Sequence, residues 1–288
     1  MTGRALAFMA NDRYLGWVKA FLESVRSKDT DLPLYCIPHG GAMEGVAALR
    51  PVFGFEMLTE GLDRLDALAK RLYPFSRARH RANLRKYVAL NLPVDEIAYF
   101  DIDMVMLIEP KRLFGHIEAG TADLVYFADS PEWVYRRRKL DVARRMFPEM
   151  RLISAGAFVT SPRLLTMNDI VETIEENFAL FRSLRRPKVY DQPVLNFVLH
   201  RLGKRARHIT ELDPGLCGMA SSRNPDLCLA EGKIVNTAVG GDVLAVHWAG
   251  KAKSRGGRDR LIQRAWPIQH FLDAMRQQAE DRIRTPGL

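Results

Sequence analysis

The sequence predicts an α/β fold, a mostly parallel sheet covered on both faces by helices, in one large domain. Two observations lead there. The first hundred residues alternate short apolar runs of strand length with segments whose apolar residues recur at helical spacing, and a β-α-β-α-β order calls for crossover connections between parallel strands. The 288 residues are 47% hydrophobic and 27% charged, without a low-complexity tract or a repeat at solenoid periods, which is an ordinary globular composition long enough to bury a sizeable core.

"ALAFMA" (5–10) is the first strand, and Val18, Phe21, Leu22 and Val25 give "YLGWVKAFLESVR" (14–26) a helical stripe. "LPLYCIP" (32–38) and "GFEML" (54–58) read as further strands, with helices over 43–50 and 62–73. "RANLRKYVALNL" (81–92) reads as a helix stopped by Pro93, followed by the strand "EIAYFDID" (96–103). Beyond Asp103, "ADLVYFAD" (122–129) and "LISAGAFVTS" (152–161) read as strands. A helix follows over 168–181 with Asn168 or Asp169 as its cap, then a second over 191–203 with Pro193 in its first turn, then a late strand over 241–250. Nothing marks a linker, so the second half is expected to extend the same sheet. After a Gly- and Arg-rich loop, Ile268, Phe271, Leu272, Met275 and Ala279 share one helical face, a pattern that serves equally for packing on the domain or lying on an anionic membrane.

Three scattered cysteines, Cys36, Cys217 and Cys228, form no zinc or redox spacing and read as thiols of a reducing compartment. No run reaches the length of a membrane span and the first residues lack a signal peptide's apolar centre, so a cytoplasmic setting, in contact with a membrane's inner face at most, is expected. The net charge of +9 is concentrated: residues 77–86 hold five Lys/Arg and no acid, and residues 251–288 hold nine against four. Such clusters suit an anionic partner or a solvated basic face. A nucleic-acid partner is not expected, because the chain shows no helix-turn-helix, zinc or RNP signature and such a role would leave two aspartates unexplained.

Those aspartates are Asp101 and Asp103 in "IAYFDIDMVML". Alternation in a strand puts both carboxylates on one face and Ile102 on the other. Two like charges a few Å apart raise each other's pKa unless something neutralises them, and oxygen donors at this spacing suit Mg²⁺ or Mn²⁺ with a diphosphate completing the shell. The place after an apolar strand is where parallel sheets bind ligands. His247, in "VLAVHWAGKAK", reads either as a hydrogen-bonded core residue or as an imidazole ligand, with Gly250, Lys251 and Lys253 behind it to hold phosphate. Asp191 and Gln192 in "YDQPVLN" read as a helix cap or as a polar pair facing a sugar, and spacing does not choose.

In order, "AFMANDRYLGWVKAFLESV", the basic segment before "IAYFDIDMV", "ISAGAFVTSP", "YDQPVLNFV" and "AVHWAGKAK" resemble the blocks of family 8 glycosyltransferases, retaining enzymes of the GT-A fold, over residues 5–253. The resemblance implies a catalytic domain over 1–253, followed by a basic loop and amphipathic helix over 254–288. It implies transfer of a hexose from UDP-glucose or UDP-galactose with Mn²⁺ or Mg²⁺. It makes Asp101, Asp103 and His247 the metal ligands, and Ala10, Asn11 and Asp12 the loop at the base and ribose. Arg85, with Lys86 or Arg81 as substitutes, matches a donor-contacting arginine; Gly250 and Lys253 match the diphosphate contacts. Ile102, Ser154, Ala155 and Asp129 fall among the donor-binding positions, Ser154 replacing the family's usual asparagine. Asp191 and Gln192 match the catalytic acidic-amide pair: Asp191 as candidate nucleophile, Gln192 steadying an oxocarbenium-like sugar, with front-side attack as the preferred route. Two other readings stand beside this one. They are a catalytically silent scaffold and a metal-dependent nucleotidyltransferase, although the latter's usual glycine-rich loop is absent from "MANDRYLG". The acceptor is expected to be anionic or presented at a membrane.

Overall fold

The computed structural model describes residues 3–117, 120–222, 224, 226–230, 233–248 and 266–285. Its strands are β1 (Arg4–Ala10), β2 (Leu34–Pro38), β3 (Phe55–Met57), β4 (Glu96–Asp101), β5 (Met104–Met106), β6 (Leu124–Tyr126), β7 (Ala157–Thr160), β8 (Ala206–His208), β9 (Leu216–Ser221), β10 (Leu227–Ala230), β11 (Lys233–Asn236) and β12 (Asp242–His247). A seven-stranded sheet runs β3-β2-β1-β4-β7-β6-β8, in which β7 alone opposes its neighbours. From Ala5 onward β1 is buried throughout, as a strand covered on both faces must be. One face packs on the helix Leu15–Arg26, with the Phe8 ring 5.5 Å from Phe21; the other packs on the helices Leu62–Leu72 and Met167–Glu176.

The second half does not simply extend this sheet. β6, β7 and β8 join it, but β5 pairs antiparallel with β12 in a second sheet ordered β10-β11-β12-β5, and β9 lies parallel to β12. The cause is local: the chain turns at Ile102–Asp103 after β4, so β5 leaves the first sheet and sets Met104 opposite His247.

Two helices also differ from their periodicity. Over 81–92 the chain forms a turn of α-helix, Ala78–Arg81, and then a 3₁₀ helix over Ala82–Asn91. A ten-residue 3₁₀ run is unusual, and its three-residue period aligns Ala82 with Arg85 and Asn83 with Lys86 along one wall. The expected helix over 168–181 breaks at Asn177 into Met167–Glu176 and Phe178–Leu184. Thr166, not Asn168 or Asp169, is its cap: the Asp169 backbone N–H donates to the Thr166 hydroxyl at 3.0 Å, and the Asp169 carboxylate accepts from the Thr166 backbone at 2.8 Å.

The C-terminal helix Trp266–Arg284 packs on Leu15–Arg26. Leu272, Met275 and Ala279 are buried, Lys19 meets Glu280 at 2.6 Å, and Arg282 donates twice to Glu23, at 2.7 and 2.9 Å. That apolar face is thus used in the core, which decides between the two uses its pattern allowed. No described helix is long and apolar enough to cross a membrane.

Near the end of the helix Gln192–Arg201, His200 Nε2 lies 2.7 Å from the Arg151 carbonyl and Nδ1 lies 2.7 Å from the Tyr135 hydroxyl. Donation to the carbonyl assigns the proton to Nε2 in a neutral ring. Burial pushes the pKa down to about 4. The unfolded chain therefore binds this proton more readily, so the contribution to stability is complete above about pH 6.5 and is lost as pH falls through 4. Thermal unfolding followed from pH 7 to 4 is expected to show a falling midpoint, with a shallower fall in His200→Gln.

Candidate functional site

The carboxyl ends of β1 and β4 open into a cavity of about 1080 Å³. Asp101 ends β4, and Ile102 and Asp103 form the turn after it, so the two aspartates are not both strand residues as alternation implied. All three line the cavity nonetheless. Asp101 accepts hydrogen bonds from the Tyr99 hydroxyl at 2.8 Å and from Lys86 Nζ at 3.3 Å. Asp103 is buried, with its carboxylate 3.1 Å from His247 Nε2, and the pairing of β5 with β12 fixes that approach. Next to His247, the Trp248 backbone donates to the Asp103 carbonyl at 2.8 Å.

Lys86 stands at the centre. Its side chain is 1% exposed and its ammonium meets Asp191 at 2.6 Å, Asp101 at 3.3 Å and the Ala155 carbonyl at 2.9 Å, three acceptors for three N–H groups. Burial alone would lower its pKa, but Asp101 and Asp191 outweigh that and hold it above the ordinary lysine value. The family resemblance offers Lys86 only as a substitute for Arg85. Arg85 also lines the cavity, but its guanidinium grips Asp66, with Nε at 2.8 Å, and donates to the Pro38 carbonyl at 3.0 Å. Asp191 occupies the cap position of Gln192–Arg201 yet makes no side-chain cap bond, because its carboxylate is turned to Lys86. Gln192 beside it donates to the Ser130 hydroxyl at 2.6 Å.

Ala10 and Asn11 line the cavity where β1 ends. Asn11 is buried and donates to the Gly40 carbonyl at 2.8 Å, while its Oδ1 has no hydrogen-bond partner among the described residues. Asp12, expected at the ribose, is engaged with the segment before β3. It is absent from the lining, and its carboxylate accepts from the backbones of Gly45 at 3.0 Å and Val46 at 2.8 Å; the first of these bonds leads the causes that hold its pKa below the usual aspartate value. Ser154 and Gly156 line the cavity, while Ala155 contributes its carbonyl to Lys86 and buries its methyl. Gly156 leaves room for Asp101: a Cβ there would stand 3.1 Å from an Asp101 carboxylate oxygen, so one of the two would have to shift by a few tenths of an ångström. Asp129 is exposed and outside the lining, bridged to Ile153 beside the Tyr126 ring. Burial first, and Asp129 second, push the Tyr126 hydroxyl up to about 12. Gly250 and Lys253 lie outside the described residues. Sequence reasoning missed His39 and Asn83, which line the cavity and meet at 2.7 Å from Nε2 to Oδ1; their only signal was position, one following β2 and the other inside the basic segment.

Two carboxylates and an imidazole facing one cavity form a donor set suited to Mn²⁺ or Mg²⁺. Among the described residues no three His, Cys, Asp or Glu side chains stand clustered in advance, since Asp101 is turned toward Lys86 while Asp103 and His247 face each other.

Superposition on solved structures gives the class of fold: it is that of the GT-A glycosyltransferases. The galactosyltransferase LgtC, solved with donor and acceptor sugar analogs, superposes with a TM-score of 0.61 at 16% identity, covering 94% of this chain and 95% of that one. Mouse xyloside xylosyltransferase 1 gives 0.55 at 13% identity over 88% and 99%. GlyE of Streptococcus pneumoniae TIGR4 gives 0.51 at 13% identity over 97% and 64%. No protein-family model and no curated protein matches the chain. At these identities the shared property is the fold.

Proposed function

We propose that this chain is a metal-dependent, retaining glycosyltransferase that moves a hexose from UDP-glucose or UDP-galactose to an acceptor, in a cytoplasmic setting. The supporting observation is convergence. Asp101, Asp103, Lys86, Asp191, Gln192 and His247 come from four separate segments and open onto one cavity at the carboxyl ends of β1 and β4, in a fold shared with a galactosyltransferase that binds sugar analogs.

Asp101, Asp103 and His247 would hold the divalent cation, which when bound neutralises diphosphate charge and stabilises the negative charge growing on the departing nucleotide. Lys86 adds a fixed buried positive charge beside them, oriented before substrate arrives. The open Oδ1 of Asn11 suits an N–H of the base. Gly250 and Lys253 remain the proposed diphosphate contacts. Asp191 is committed to Lys86 at 2.6 Å, which favours its positioning Lys86 and sensing charge on the sugar over attack as a nucleophile. Retention then follows from acceptor attack on the leaving group's own side, with the Gln192 amide, held by Ser130, steadying the sugar.

The test is incubation with Mn²⁺ and each UDP-sugar, following UDP release and the anomeric configuration of any transferred sugar. Metal-dependent release with the donor's configuration kept is expected. Tight UDP binding without turnover of any donor would identify a silent scaffold, and an inverted linkage would exclude the retaining mechanism.

A further inference from the structure

Three neighbouring segments are strongly basic; the first forms part of the cavity wall, and the second begins at Ser130, which accepts from Gln192 of that wall. Residues 71–81, 130–139 and 182–188 hold twelve Lys/Arg and a single acid of their own, Glu132, while Glu175 from outside them pairs with Arg71 at 3.4 Å. Contacts join them. The Arg185 guanidinium lies 4.5 Å from the Tyr73 ring centre, and the Arg186 guanidinium lies 4.8 Å from that of Trp133. The Arg186 backbone donates to Val134 at 2.9 Å, and the Arg136 backbone donates to Leu184 at 2.9 Å. Tyr190 stacks near His80 and, one residue on, the chain reaches Asp191 inside the cavity. Arg79, His80 and Arg81 are themselves part of the cavity wall.

Two aromatic tips project from this basic face. Phe75 is fully exposed between Pro74 and Ser76, and Trp133 is half exposed. A fully exposed apolar ring is unusual on a soluble surface, and exposed rings carried on basic segments match the layering of an anionic bilayer, with headgroup phosphates outside and acyl carbons beneath. Stacking on nucleic-acid bases fits less well, because Arg186 already covers a face of Trp133. The C-terminal helix is not a competing anchor, its apolar face being packed on the domain.

We propose that this face rests on an anionic lipid surface, with Phe75 and Trp133 entering the headgroup layer, so that the cavity mouth looks onto the membrane. That the acceptor is then drawn from that surface rests on the transferase reading; the docking itself does not.

The experiment is co-sedimentation of the full chain with phosphatidylglycerol-containing vesicles and with pure phosphatidylcholine vesicles, without nucleotide sugar, at low and high salt. Binding only to the anionic vesicles, released by salt, is expected. Phe75→Ser should weaken it several-fold, and Arg77→Glu combined with Arg137→Glu by roughly tenfold or more, given the share each cation near a charged surface contributes. Lys111→Glu serves as the control, because its loop lies toward the start of β4, where the Gly115 and Ile117 backbones bond Glu96. Equal binding to both vesicle types, an equal loss in the Lys111 variant, indifference to the Phe75 and arginine changes, or binding to an oligonucleotide but to no vesicle would each overturn the proposal. UDP release measured on Phe75→Ser in solution should match the unaltered chain, so failure of docking and failure of catalysis are separable.

Discussion

Replacing Asp103 by alanine is expected to lower UDP-sugar turnover by about a thousandfold, the scale of losing one preorganised charge-stabilising group or a metal's Lewis-acid contribution. The unaltered protein stripped with a chelator should fall to the same level and recover on addition of Mn²⁺, whereas the Asp103→Ala protein should not recover. His247→Ala should resemble it, because the two side chains face each other at 3.1 Å across the β5 and β12 pairing. Activity indifferent to both changes and to chelation would end the metal assignment. Titration of Mn²⁺ binding by calorimetry gives a second readout that does not depend on finding the right donor.

The second large effect is expected at Lys86. Lys86→Met removes the cation between Asp101 and Asp191 and leaves two partly buried carboxylates facing each other, so about 3 kcal/mol of stability should be lost and the melting temperature should fall by roughly 6 °C or more. The pH dependence has a definite sign. Because the folded-state pKa of Lys86 is raised above its ordinary value, its stabilisation is complete below about pH 10.5 and declines only as pH rises through the folded value. The unaltered protein should therefore lose stability at strongly alkaline pH where Lys86→Met does not. A Lys86→Met protein as stable as its parent at neutral pH would show that the triad carries no net energy.

Much of this was legible in the sequence because it depends on local pattern. The parallel half of the sheet follows from apolar runs alternating with helical stripes, and the two aspartates after a strand announce an anion-rich end that needs cations. Less legible was anything set by pairing at long range. The turn at Ile102–Asp103 looked like continued strand because Ile102 and the Met104–Met106 run are apolar, yet β5 belongs to another sheet. Asp12 and Asp191 show the same limit: Asp12 accepts from backbone N–H groups in the first turn of the helix Glu44–Ala47, while Asp191, at a cap position, turns its carboxylate to Lys86. Periodicity could not show the turn of Asp191, since a lysine 105 positions earlier decides it. Lys86 itself was hidden among arginines, and only its burial separates it from them.

The contact between Asp103 and His247 spans 144 residues of chain. Closing a loop of that length costs on the order of 4 kcal/mol in chain entropy before any contact repays it. During synthesis the early sheet can therefore assemble while the proposed metal site remains incomplete, and the site appears only when β12 has emerged and seated beside β5. Competence is in this sense a late folding event, and a chain cut before Asp242 would retain its aspartates without the partner strand that arranges them.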